Sequence, residues 1–130
     1  MIFVFGSNEA GIHGAGAARV AAAKFGAIPG RGYGLQGDSF AIPTKDKSIE
    51  TLPLYAIRNY VARFIDYAMR QSDKEFQVTQ IGCGLAGLKA EDIAPMFDGA
   101  PDNCLFDSAW DVFLPGRRFW GTFGGNDERL

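Results

Sequence analysis

The sequence predicts one α/β domain built on a largely parallel sheet with helices on its faces. Three observations carry this. Strand-length apolar runs alternate with helix-patterned segments from Ile2 to Leu114 of the 130 residues. The first strand is a continuous apolar run, as in a sheet covered on both sides. Two glycine-rich turns directly follow two of the predicted strands, the arrangement in which such folds place a ligand at the carboxyl ends of their strands.

The elements follow in order. Ile2–Phe5 is the first strand, ended by Gly6-Ser7-Asn8. Gly14–Phe25 is alanine-rich and reads as a helix, with Gly26 where a C-terminal cap belongs. The stretch Gly26–Gly37 holds Pro29 among several glycines and reads as a loop. Ser39–Thr44 is a short strand. A second helix starts between Ile49 and Pro53 and runs to about Gln71. Its buried stripe is Leu54, Ile57, Val61, Phe64 and Ala68, with Arg58, Arg63, Asp66 and Arg70 off it. Phe76–Ile81 is the next strand, Glu91–Phe97 a short helix and Trp110–Leu114 a last strand. The tail from Pro115 to Leu130 has no assignable pattern. No repeat or linker divides residues 1–130, so a single domain is expected.

Bulk properties exclude several function classes. Hydrophobic residues make up 47% and charged residues 22%, and eleven phenylalanines with two tryptophans suffice for one core. The net charge of -2 argues against a general basic surface for nucleic acid, while leaving local recognition of a modified base or end open. Two cysteines and one histidine make neither a disulfide framework nor a metal centre. The apolar start, Met1–Phe5, is too short for a signal peptide, and no run approaches the ~20 residues of a membrane span. A cytoplasmic protein with no membrane partner, no metal and no cofactor is expected.

The first turn runs from Gly6 through Asn8, His13, Gly14, Ala15, Gly16 and Ala17 to Ala18, leading from a buried strand into a helix. Glycines let a backbone approach a phosphate, and a helix start offers N–H groups and a positive dipole end. A tight strand-to-helix crossing is the competing explanation. The turn departs from the dinucleotide fingerprint, because its third glycine position is Arg19, and no Gly-Lys-Ser/Thr of a P-loop follows. The second turn is Gly82-Cys83-Gly84-Leu85-Ala86-Gly87-Leu88. Its three glycines suit a second anion-cradling loop, or again a tight turn. Two such turns in one short chain favour a nucleotide more than either does alone.

His13–Ala18, Ile42-Pro43-Thr44-Lys45 and Gly82–Leu88 occur in the order found in macrodomains. Over roughly residues 1–97 the chain resembles the branch of terminal ADP-ribose-protein glycohydrolases and DNA ADP-ribosyl glycohydrolase antitoxins. The Gly-Cys-Gly-Leu-x-x-Leu segment is the most specific element of the likeness. The resemblance implies a three-layer α/β/α fold around a mostly parallel mixed sheet. It also implies a cleft for ADP-ribose, free or on a protein or nucleic acid. The diphosphate would lie between Gly14–Ala18 and the loop of Gly82, Cys83, Gly84, Leu85, Ala86 and Gly87. Asn8 would stand near the distal ribose, and Thr44 with Lys45 would close the end of a strand. Lys45 matches the lysine that acts on the anomeric carbon. A lysine amine attacks such a carbon when neutral and stabilises a leaving group when charged. Without the resemblance Lys45 reads as a solvated strand-end lysine beside Asp46 and Lys47.

The chain also departs from the pattern. Ala86 stands where an assisting aspartate occurs in the terminal-ADP-ribose members, and Lys89-Ala90-Glu91-Asp92 replaces a segment that often carries tryptophan. Two functions are therefore expected. One is a hydrolase that removes ADP-ribose from an acceptor. The other is a binder or sponge of ADP-ribose or a related signalling nucleotide, which by analogy suits a phage-related setting. A nucleotide-binding fold outside this family is a third option, favoured by a Rossmann strand order.

Several residues keep two readings. His13 contacts a phosphate or ribose hydroxyl, or is a turn residue. Tyr33 stacks on a ligand ring or anchors its loop. Cys83 has no basic neighbour that would make it a nucleophile. Glu91 and Asp92 suit the start of a helix. Arg117 and Arg118 touch a phosphate or lie exposed, and Phe119, Trp120 and Phe123 pack on the sheet or meet a partner.

Overall fold

The computed structural model describes residues 1–123. Its six-stranded mixed sheet comprises β1 (Ile2–Asn8), β2 (Gly34–Gln36), β3 (Ser39–Lys45), β4 (Phe76–Val78), β5 (Cys104–Asp107) and β6 (Arg118–Gly121). The strand order is β2-β3-β1-β4-β5-β6. All neighbours pair in parallel except β2, which forms an antiparallel edge on β3. The helices are α1 (Gly16–Lys24), α2 (Leu54–Arg70) and the short α3 (Ala90–Ile93), which continues as a 3-10 turn over Ala94–Phe97.

Alternation along the central strands divides the core in two. Phe3, Phe5 and Ala41 face one side, where Ala18, Val20 and Ala21 of α1 cover them. Val4, Phe40 and Ile42 face the other, under Ile57, Val61, Phe64 and Ala68 of α2. Each fully buried large apolar side chain contributes about 1.5–3 kcal/mol of transfer free energy. The α2 stripe is the one the helical spacing predicts, with Leu54 half-buried at its start. No side chain caps the start of α2. Its far end is closed by Asn103, whose Nδ2 donates to the carbonyls of Ala68 and Gln71 at 3.0 and 3.1 Å.

The chain winds outward from β1 in both directions. It passes from β1 through α1 to β2 and β3 on one side. It then returns over β1 through α2 to β4 on the other. Crossovers of one hand that run in opposite directions put their helices on opposite faces, as α1 and α2 are. A crevice therefore opens where the winding reverses, at the carboxyl ends of β1 and β4. The order is not the six-stranded parallel 3-2-1-4-5-6 of dinucleotide-binding folds, because β2 and β3 form a hairpin edge.

The structure corrects three expectations. Trp110–Leu114 is not a strand. Ser108–Trp110 is a 3-10 turn whose start is capped by Asp107, and turns follow it. Trp110 and Leu114 are buried while Val112 between them is exposed, and that four-residue spacing belongs to helical turns, not to a pleat. The strand in this region is β5, whose four residues are all buried. The tail does carry structure, since Arg118–Gly121 forms edge strand β6. The segment Gly26–Gly37 is a loop only to Tyr33, and β2 begins at Gly34. Buried Gln36 braces this loop, accepting from Ile28 N–H at 2.7 Å and donating to Arg31 C=O at 3.0 Å.

Candidate functional site

A cavity of about 600 Å³ opens at the carboxyl ends of β1, β3 and β4, where the winding reverses. Residues from both glycine turns line it. The first turn contributes Asn8, Gly14, Ala15, Gly16 and Ala17, and the second Gly82, Cys83, Gly84, Leu85 and Ala86. Thr44 and Lys45 line it from the end of β3. His13 and Gly87 do not. Ala18, at the end of the predicted first turn, lines it too, and sequence reasoning missed Gly6, Ser7, Ile12, Ile49, Thr79, Gln80 and Phe123, which complete the described lining. Ser7, Thr79 and Gln80 sit beside or within the predicted strand ends and were within reach of that pattern. Ile49 and Phe123 gave no signal, one lying between a strand and a helix and the other in the unassigned tail.

The turns are shaped by glycine at two points that admit no other residue cheaply. Gly82 has φ +75°, and a Cβ there would stand 3.1 Å from Leu88 Cδ1. The loop closes behind it, Leu88 N–H donating to Gly82 C=O at 2.9 Å. At the first turn, a Cβ on Gly32 would stand 2.1 Å from the Asn8 carbonyl oxygen, so the 26–33 loop presses backbone to backbone on the end of β1. Ala15 precedes α1 without a side-chain cap, and the first turn of α1 carries no acid. Its opening N–H groups lie at the cavity wall and retain the donor capacity and partial positive charge of a helix start.

Asn8 is held by its own loop. Its Oδ1 accepts from Ile12 N–H at 2.9 Å and its Nδ2 donates to Ile12 C=O at 2.8 Å. Thr44 Oγ1 donates to Ser7 C=O at 3.3 Å, joining β3 to β1 below the cavity. Lys45 is half-buried, and its amine forms no ion pair among the described residues. Among the described residues that line the cavity it is the single charged side chain, and none of them is a carboxylate. Gln80 is fixed from behind, donating to Asp107 Oδ2 at 3.2 Å, and the same oxygen accepts from Phe123 N–H at 3.1 Å.

His13 sits behind the wall instead of in it. It is buried edge-on against the Phe5 ring, with Nε2 3.1 Å from Ser7 Oγ and Nδ1 without a hydrogen-bond partner among the described residues. Burial pushes its pKa below the usual histidine value, while the Arg31 backbone opposes the shift without meeting hydrogen-bond geometry at Nδ1. Burial raises the Cys83 thiol, with the Trp110 indole acting in the opposite direction. That leaves Cys83 a thiol at neutral pH and a wall residue.

The remaining candidates lie outside the cavity. Tyr33 anchors its loop, stacked under the Arg63 guanidinium at 4.2 Å and packed edge-on against Phe40. Glu9 accepts from Tyr60 Oη at 2.5 Å, tying the first turn to α2. Arg117 donates to the carbonyls of Ala100 and Asp98, and Arg118 pairs with Glu75 at 2.9 Å. Trp120 Nε1 donates to Val78 C=O at 2.9 Å, while Phe119 packs on the α2 side of the sheet. Glu91 and Asp92 occupy the first turn of α3.

Among the described residues no helix is long and apolar enough to cross a membrane, and no group of three or more His, Cys, Asp or Glu side chains is placed to hold a metal ion. Comparison of the chain with protein-family models, with curated proteins and with solved structures finds no match.

Proposed function

We propose that the cavity binds ADP-ribose or a closely related dinucleotide in the manner of a macrodomain. The observation that carries this reading is the position of two glycine turns and an uncapped helix start around one cavity at the winding reversal. Among the described residues Lys45 is the only formal charge on its wall. Backbone N–H groups at a helix start suit a diphosphate. A volume of about 600 Å³ lies within the range of sites that enclose a ligand of this size. The resemblance of His13–Ala18, Ile42–Lys45 and Gly82–Leu88 to macrodomain segments supplies the choice of ligand.

The proposed activity is glycoside hydrolysis that frees ADP-ribose from a protein or nucleic-acid acceptor. In this reading Lys45, which lines the cavity, would attack the anomeric carbon or stabilise the departing group, and the turns would hold the substrate in position. A second reading, binding without turnover, is favoured by the absence of a carboxylate among the described lining residues, where Ala86 offers no acid or base. Calorimetric titration with ADP-ribose, with AMP and NAD as controls, tests the shared claim. Saturable binding selective for ADP-ribose is expected, and no binding to any of the three would sink it. Lys45→Ala separates the two readings. A hydrolase loses turnover of ADP-ribosylated protein or DNA and keeps most ADP-ribose binding, whereas a binder turns over neither as wild type nor as variant.

A further inference from the structure

One residue at the cavity mouth is held in a conformation its side chain disfavours. Ile49 has φ +63°, the only positive φ of a non-glycine residue among the described residues. A β-branched side chain in the left-handed region is strained, and glycine or asparagine adopts it at lower cost. The turn around it leaves no choice. Asp46 Oδ1 accepts from Ser48 N–H at 2.8 Å and Glu50 N–H at 3.0 Å, Asp46 N–H donates to Glu50 C=O at 2.8 Å, and Ile49 N–H donates to Asp46 C=O at 3.1 Å. Thr51 then pairs with Lys45 as a β-bridge, and its Oγ1 donates to Ala86 C=O at 3.2 Å. The strained turn is thereby tied to the catalytic-candidate lysine on one side and to the Gly82–Leu88 loop on the other.

The side chain this turn presents is apolar, lines the cavity and is 41% exposed. Two more cavity-lining apolar residues are exposed: Ile12 at 58% and Leu85 at 70%, the latter lying over Gly16 at the start of α1. Three exposed aliphatic side chains thus rim a cavity whose remaining lining mixes glycine backbone, hydroxyl and amide groups with alanines, Cys83 and the Phe123 ring. Aliphatic groups around a mouth suit the flat face of a ring. Lys45, the only ionic group among the described residues of the wall, disfavours a ring that carries positive charge.

We propose that Ile49, with Ile12 and Leu85, forms a selectivity rim that takes an uncharged planar ring attached to the ribose at the Lys45 end of the ligand. This rests on the dinucleotide reading above and adds the chemical class of the group beyond the ribose. A ligand with only a hydroxyl there leaves the rim in water, and one with a cationic ring meets Lys45.

Three probes differ at that end alone: ADP-ribose carries a hydroxyl, NAD a cationic ring and NADH a neutral ring. The wild-type protein is expected to bind NADH about tenfold more tightly than ADP-ribose, and NAD no more tightly than ADP-ribose. Ile49→Asn is expected to remove most of the roughly tenfold NADH advantage, weakening NADH binding more than ADP-ribose binding. Because asparagine tolerates the backbone, the variant should also melt roughly 3–6 °C higher. A melting temperature at or below wild type would show that no strain is stored at Ile49. Equal affinity for NADH and ADP-ribose in the wild type, or an Ile49→Asn loss shared equally by both ligands, would overturn the rim while leaving the dinucleotide site standing. No binding of ADP-ribose or either coenzyme by the wild type would remove the site itself and the rim with it.

Discussion

At the scale of single residues, contact geometry separates structural groups from those free to act. Asn8, Gln80 and Thr44 line the cavity, yet each already spends polar atoms on neighbouring backbone or on Asp107. Lys45 does not share an ion pair among the described residues, so it is the group on this wall free to meet a ligand charge. His13 makes a prediction about pH. Its folded-state pKa is depressed, so the unfolded chain binds more protons than the folded one below the ordinary histidine value. Its contribution to stability is full above pH ~6.5 and is lost as pH falls from there towards the folded pKa. Melting temperatures of wild type and His13→Gln should therefore diverge in slope between pH 7 and 5, the wild type falling more steeply; parallel slopes would show that the buried ring titrates normally. Gly32 makes a steric prediction. Gly32→Ala drives a methyl group into the Asn8 carbonyl and should cost about 3 kcal/mol, read as a melting point roughly 10 °C lower.

At the scale of elements, α2 both covers the sheet and holds the site's outer loops. Tyr60 reaches Glu9 on the first turn, and Arg63 covers Tyr33 on the 26–33 loop. Tyr60→Phe removes one charge-assisted bond and should cost about 1–2 kcal/mol in chemical denaturation, with the fold retained. How much was legible follows from how each element announces itself. β1, α2 and the strand Ser39–Lys45 have strong periodic or continuous apolar signals, and the sequence places them within a few residues. β5 was missed because Cys104–Asp107 is only four residues long and the neighbouring Trp110–Leu114 is more apolar. Tertiary packing, with Trp110 and Leu114 on one side of a turn, overrode that stronger local signal. The two glycine turns were legible as loops at strand ends, and the sheet order brings them to one cavity. The separation of His13 from that cavity was not legible, because it depends on the 26–33 loop pressing in behind the turn.

At the scale of the whole molecule, the sheet is covered unevenly. α2 and α3 with its 3-10 extension cover one face, while α1 shares the other with Trp120 of β6 and Phe123 just beyond it. Phe123 packs on Phe3 with ring centroids 5.9 Å apart and also lines the cavity, so stability and site meet at one side chain. Phe123→Ala should cost about 3 kcal/mol and weaken ligand binding in the same variant. A variant that keeps full affinity while losing stability would place the ligand away from this wall. The edges of the sheet have a consequence for behaviour in concentrated solution. β2 is three residues long and begins at Gly34 with φ +98°, while β6 is four residues long, starts at ion-paired Arg118 and ends at Gly121 with φ +126°. Short, bent margins of this kind give an incoming strand few aligned backbone groups to add to, so the sheet resists growing sideways into fibrils.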